Sequence, residues 1–187
     1  MSNINSHYSS NNKKSRDGKC KMKKLTQFLS IVVLLIFLDR IVKEIVLANL
    51  TNTIVIIPKL LTIQFPIVYN NGIAFGLFNG MPYVIEALTG LIILSSLYAL
   101  PRVPKKYITA MAIIIGGAAG NFIDRIIYEK GVVDFIAVRY FSVFNIADIA
   151  ITVGVIWMIT IMFLEEKTQK STGKKRSAKK KTRRKKK

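Results

Sequence analysis

Four long, mostly apolar stretches, 25–47, 82–100, 107–127 and 146–164, constrain this chain more than anything else in it. Each is near the ~20 residues that a helix needs to cross a ~30 Å hydrocarbon core. The fold class expected is therefore mainly α: a polytopic membrane protein whose spans pack as a four-transmembrane-helix bundle. A hydrophobic share of 51% would not decide this alone, since soluble chains also reach it. Its segregation into span-length runs does. Span 25–47 is too long, and too charged in its second half, for a cleaved secretory signal. No small-residue cleavage site follows it, so it is expected to stay as an anchor.

The formal net charge is +19, and its placement says more than its size. Seven of the 29 Lys and Arg residues precede the first span, three lie in 101–106 and thirteen follow Leu164. Cytoplasmic segments carry the excess of basic residues, so both termini and the 101–106 connection are expected inside. Residues 48–81 and 128–145 then face outward. Three regions follow: a basic extension over 1–24, a membrane domain over 25–164 and a Lys/Arg-rich tail over 165–187. Both ends are polar and predicted disordered. The tail is expected to be drawn to anionic lipid headgroups, at about 1 kcal/mol for each basic residue near the surface. Nucleic acid is the less favoured partner. His7 lies in the basic extension, where it is a poor candidate for metal binding or catalysis. Cys20 is the sole cysteine, which precludes an intrachain disulfide.

The outward segment 48–81 is rich in β-branched residues, holds Pro58 and Pro66, and contains the turn signal "YNNG". It predicts a small extracytoplasmic β-rich platform; an irregular loop is the plainer alternative. Pro82 suits a helix start, where a missing N–H costs little, and Glu86 one turn later suits the positive end of the helix dipole. Gly116 and Gly120 form a G-x-x-x-G, the spacing that lets helices approach closely in lipid. Tyr83, Tyr98, Tyr107, Tyr128 and Tyr140 fall near the expected interfaces.

Ionisable residues at membrane depth cost at least ~2.5 kcal/mol each on insertion scales, so each calls for a reason. In "LDRIVKE" (38–44), Asp39 and Lys43 stand four apart with the acid first, and Arg40 and Glu44 repeat the pattern. These are either self-neutralising pairs or groups that orient a site. In "NFIDR" (121–125), Asn121, Asp124 and Arg125 share a helix face, and Asp124 beside an arginine suits a framework role. "FNIAD" opens the last span: Asn145 is a plausible N-cap and Asp148 lies in the first turn. Asp134 differs from all of these. It sits in "VVDFIAV" with apolar neighbours and no adjacent cation, so desolvation should raise its pKa. The short connection between the last two spans brings Asp134 and Asp148 to one side of the membrane. Two carboxylates within ~3 Å share a proton, and such a pair can activate water against an amide.

These residues, "LDRIVK", "YNNGIAF", "GGAAGNFIDR" through "GVVDF", and "FNIADIA", resemble in order and spacing those of the lipoprotein signal peptidases, or signal peptidase II. The resemblance spans roughly residues 30–160. It implies an aspartic endopeptidase of the bacterial plasma membrane that removes signal peptides from prolipoproteins, cutting before a diacylglyceryl-modified cysteine. It makes Asp134 and Asp148 the catalytic dyad, where the residues alone leave Asp124 open. It implies supporting roles for Asp39, Lys43, Asn70, Asn121, Asp124, Arg125, Asn145 and Ala147, and a β-rich cradle on the outer surface. Partners are then prolipoproteins, membrane lipids and globomycin-like cyclic peptide inhibitors, with no cofactor and no metal. Arg40 stands where a glutamine is common in that family, and Ile149 where a small polar residue is usual.

Two other classes compete. A proton-coupled transporter also buries carboxylates, but it predicts them near the bilayer midplane, often with internal repeats. An assembly subunit docking through Gly116 and Gly120 leaves the polar residues unexplained.

Overall fold

The computed structural model describes the backbone of residues 2–70, 72, 81–128 and 131–184, and the side chains of these outside 2–17, 82 and 169–184. In chain order the described elements are helix α1 (Ser2–Asn49), strands β1 (Ile54–Ile57) and β2 (Leu61–Asn70), helices α2 (Pro82–Ala99) and α3 (Lys105–Ile127), strands β3 (Val132–Val138) and β4 (Val143–Phe144), and helix α4 (Ile146–Arg184). The molecule is mainly helical with a small antiparallel sheet.

Helix α3 is the centre: α1 and α4 pack on it closely, and α2 less extensively. Small residues make this possible. A Cβ added at Gly116 would come within 2.9 Å of Leu35 Cδ1, and one at Gly120 within 2.8 Å of Asp39 Oδ2, both on α1. The G-x-x-x-G expected to allow a close approach thus faces α1. On the other side of α3, a Cβ at Gly117 would meet the Ala147 carbonyl oxygen of α4 at 2.5 Å. Where lipid replaces water, such van der Waals fit is what holds helices together.

Phe28, Leu100, Ile108, Ala112 and Ile115 form a buried apolar cluster near one end of the bundle. At the same end, Lys24 donates to the Val103 carbonyl at 2.8 Å, Tyr107 O–H donates to Glu165 Oε2 at 2.6 Å, and Lys106 pairs with Glu165. The first basic segment, the 101–106 connection and the start of the tail therefore converge. The sheet lies at the opposite end, where α1 and α3 finish. Between the two ends, large apolar side chains such as Leu29, Val33, Phe37, Leu91, Leu94, Ile156, Trp157 and Phe163 are exposed, a surface that suits lipid rather than water. Lys105–Ile127 and Ile146–Thr168 are long and apolar enough to cross a membrane. In α1 the C-terminal half carries Asp39, Arg40, Lys43 and Glu44, and α2 has 18 residues, so for these two the expectation of a span rests on the sequence.

Where disorder is predicted over 1–24 and 165–187, the helices run on: α1 begins at Ser2 and α4 continues to Arg184. In the tail the Lys and Arg residues are good helix formers, and no proline interrupts either segment. Residues 185–187 and the His7 side chain lie outside the described residues. Cys20 is free and exposed.

The sheet has the order β1-β2-β3-β4, antiparallel throughout. Two strands arise in 48–81, where strands are expected. The other two come from 128–145, which the sequence suggests only as a connection. "VVDFIAV" is a β-branched run that can pair with β2, and the register sets Val68 opposite Asp134 and Asn70 opposite Val132. In the expected "YNNG" turn, Asn70 accepts the Gly72 N–H through its side-chain oxygen at 2.9 Å. Asn71 and residues 73–80 lie outside the described residues.

Candidate active site

Asp134 stands on β3 between buried Val133 and Phe135 and is itself only 1% exposed. A strand rather than a helix end carries it, so the β2–β3 ladder sets its position. From β2, Asn70 Nδ2 donates to Asp134 Oδ2 at 3.0 Å. From the start of α4, Asn145 Nδ2 donates to Asp134 Oδ1 at 2.7 Å.

Asn145 also caps α4. Its side-chain oxygen accepts the Asp148 N–H at 3.1 Å, while Asp148 Oδ2 accepts the Asn145 N–H at 3.1 Å. This reciprocal capping box satisfies two donors that the first turn would otherwise leave open, and it fixes the Asp148 side chain. Asp148 Oδ1 accepts Asn121 Nδ2 at 2.8 Å. Every oxygen of the two carboxyl groups thus takes an amide N–H. Among the described residues no hydrogen bond joins Asp134 directly to Asp148, whereas the sequence suggests a contact of about 3 Å of the kind that shares a proton. The link runs through Asn145 instead, because the carboxyl oxygens are already claimed by asparagine donors.

Behind this layer lies an ion-paired one. Lys43 is fully buried, and its Nζ sits 2.6 Å from Asp39 Oδ2, 2.7 Å from Asp124 Oδ2 and 3.3 Å from Asn121 Oδ1. A buried charge needs such partners to be tolerated. Asp39 Oδ1 accepts the Ala147 N–H at 3.0 Å, which ties α1 to the first turn of α4. Asp124 Oδ2 also accepts the Val133 N–H at 3.2 Å. Arg125 donates through Nη2 to the Gly72 carbonyl at 2.9 Å and through Nη1 to the Asn121 carbonyl at 3.3 Å. Its Nε is buried without a hydrogen-bond partner among the described residues.

Burial pushes the Asp134 carboxyl up to about 7, and the charge of Asp148 pushes the same way. Hydrogen bonds from Asn70 and Asn145 and the charge of Lys43 oppose this and are outweighed. Asp134 is therefore suited to holding a proton near neutrality. Among the described residues no group of three or more His, Cys, Asp or Glu side chains is disposed to hold a metal ion.

Asp39, Lys43, Asn70, Asn121, Asp124, Arg125, Asp134, Asn145, Ala147 and Asp148 converge from α1, β2, α3, β3 and α4. Sequence spacing anticipates the Asp39–Lys43 and Arg40–Glu44 pairs, and both form. It does not anticipate that Arg40 also reaches Asp124 across helices, Nη1 to Oδ1 at 2.8 Å. It likewise does not anticipate that Tyr128, expected only as an interfacial aromatic, donates its O–H to Glu44 at 3.0 Å. The one local hint was an unusual density of charge in an otherwise apolar helix.

The family model described as "Signal peptidase (SPase) II" matches residues 31–164. A lipoprotein signal peptidase of Listeria monocytogenes is 33% identical over 149 residues, covering 75% of this chain and 95% of that one. One from Acinetobacter baumannii is 38% identical over 157 residues, covering 78% and 88%. A bacterial membrane enzyme solved by the in meso method at 2.3 Å superposes with a TM-score of 0.67 at 30% identity, covering 76% of this chain and 90% of that one. A second, solved at 1.9 Å, gives 0.63 at 30% identity, covering 72% and 91%.

Proposed function

The chain belongs to the signal peptidase II family, and from that premise we propose that it is an aspartic endopeptidase that cuts prolipoproteins before a diacylglyceryl-modified cysteine. The enzyme spans a bacterial plasma membrane four times with both termini in the cytoplasm. Its dyad, Asp134 and Asp148, lies at the outer face. The observation that carries this is the double grip of Asn145 on the pair: one side chain bonds both aspartates, and one of the two titrates near neutrality.

Asp148, the acceptor of two N–H groups at a helix start, acts as the base and takes a proton from a water molecule. Asp134, holding its proton, donates it to the carbonyl oxygen as water oxygen bonds to the carbonyl carbon. In the tetrahedral intermediate the leaving nitrogen takes the proton now held by Asp148 as the C–N bond breaks, and a hydroxyl of the intermediate returns its proton to Asp134, which restores the pair. The acyl chains of the substrate cysteine keep the scissile bond at the outer boundary, and positioning of this kind lowers the barrier by several kcal/mol. A globomycin-like cyclic peptide would compete by occupying the space between the aspartates.

The test is a gel-shift assay of the purified protein on a diacylated prolipoprotein. Wild type should release the signal peptide, while Asp134→Asn and Asp148→Asn each insert into the membrane and leave the substrate intact. Full cleavage by either variant would remove that residue from the dyad.

A further inference from the structure

Arg40 follows Asp39 on α1 and touches neither aspartate of the dyad. Its guanidinium is nevertheless spread over three partners: Nη1 donates to Asp124 Oδ1 at 2.8 Å, and Nη2 pairs with Glu44 and donates to the Tyr128 hydroxyl oxygen at 3.1 Å. The guanidinium carbon stands 5.4 Å from the centre of the Tyr128 ring, which meets Tyr69 of β2 edge-on at 6.5 Å. Such a fork is held at both ends in a way that a single ammonium could not reproduce.

Asp124 is the centre of this arrangement and is fully buried. One oxygen takes Arg40; the other takes Lys43 Nζ at 2.7 Å and the N–H of Val133 at 3.2 Å. Val133 directly precedes Asp134 on β3. Lys43 is in turn shared between Asp39 and Asp124. Without Arg40, two buried carboxylates would divide one buried ammonium, which is an expensive imbalance. Lys43 would then be drawn toward Asp124 and away from Asp39 and Asn121, which hold the Ala147 N–H and the Asp148 carboxyl.

We propose that Arg40 is a positioning residue for the dyad: by holding Asp124 it anchors the β3 backbone beside Asp134 and leaves Lys43 to serve the α4 side of the site. The catalytic consequence rests on the aspartic peptidase assignment above; the structural consequence does not.

The experiment compares full-length wild type with Arg40→Gln and Arg40→Lys in detergent micelles, by processing rate across pH and by hydrogen exchange of the segment 132–135. Arg40→Gln should lower kcat by about ten- to a hundredfold with KM nearly unchanged, since a misplaced group costs rate rather than binding. The alkaline limb of its pH profile should move upward. Asp134 is faced by Asp148 of α4, Lys43 of α1 and Arg125 of α3, and removing Arg40 takes one positive charge from behind them. Exchange at 132–135 should quicken. Arg40→Lys should recover part of the rate, because one ammonium reaches Asp124 without also holding Glu44 and Tyr128. Wild-type kcat and an unmoved pH limb in Arg40→Gln would overturn the proposal, whatever happens to its melting temperature. If that variant does not insert, Arg40→Lys decides by the same criteria: a lowered kcat at preserved melting temperature supports the role, and a wild-type kcat removes it. If wild type itself does not cleave, the enzymatic assignment fails, and unchanged exchange at 132–135 would still refute the anchoring.

Discussion

Asn145 shows how much a single side chain can decide. Fully buried, it caps α4, steadies Asp148 and donates to Asp134. Replacing it by alanine removes an N-cap, worth ~1 kcal/mol, and leaves a buried carboxyl short of a donor, worth a further ~1–3 kcal/mol. Asn145→Ala should therefore melt lower and lose activity far beyond what its melting temperature explains, as thermal unfolding and processing assays on the same preparation would reveal. Asp134 makes a prediction about pH. Its proton is held to about 7 in the folded state, well above the ~3.9 of an exposed aspartate. The stability this contributes is fully present below about pH 4 and is lost as the pH rises through about 7. Asp134→Asn should flatten that part of the stability profile, so its advantage over wild type grows from pH 5 to pH 8; parallel melting curves would contradict the burial argument. If the proposed dyad does the chemistry, processing by wild type should fall on the alkaline side with a midpoint near 7, because the pair would then lose its acid.

At the level of elements, the site depends on how closely α4 approaches α3. Gly117 leaves no room for a methyl group beside the Ala147 carbonyl, one residue before Asp148. Gly117→Ala should push the first turn of α4 outward, lowering kcat and the melting temperature together while the protein still inserts. Gly90→Ala is the control, since a Cβ there meets only the Phe122 ring, at an ordinary 3.7 Å. The helices were readable from the sequence because long apolar runs in lipid leave the backbone few alternatives. Strand β3 was harder to foresee. "VVDFIAV" becomes a strand by pairing with β2, some seventy residues earlier, and local composition carries no trace of that partner.

For the whole molecule, charge placement predicts orientation. Cys20 is exposed and lies in the basic segment before the first apolar run, whereas Tyr140 is 91% exposed at the end of the sheet. With both termini inside, a membrane-impermeant maleimide should label Cys20 only after the cells are opened. A cysteine introduced as Tyr140→Cys in a Cys20→Ser background should be labelled in intact cells, and the reverse pattern would invert the topology. Membrane character, the ends of α2 and α3, the start of α4, the helix-helix contact at Gly116 and Gly120, and the local ion pairs at Asp39–Lys43 and Arg40–Glu44 were all determined by sequence, since each follows from residues within a few positions of one another. The tertiary structure alone decided that Asp124 gathers Arg40, Lys43 and Val133, and that Asn145 stands between two aspartates. Those contacts join residues far apart in the chain, and which buried charge finds which partner is settled only when the helices and sheet close around them.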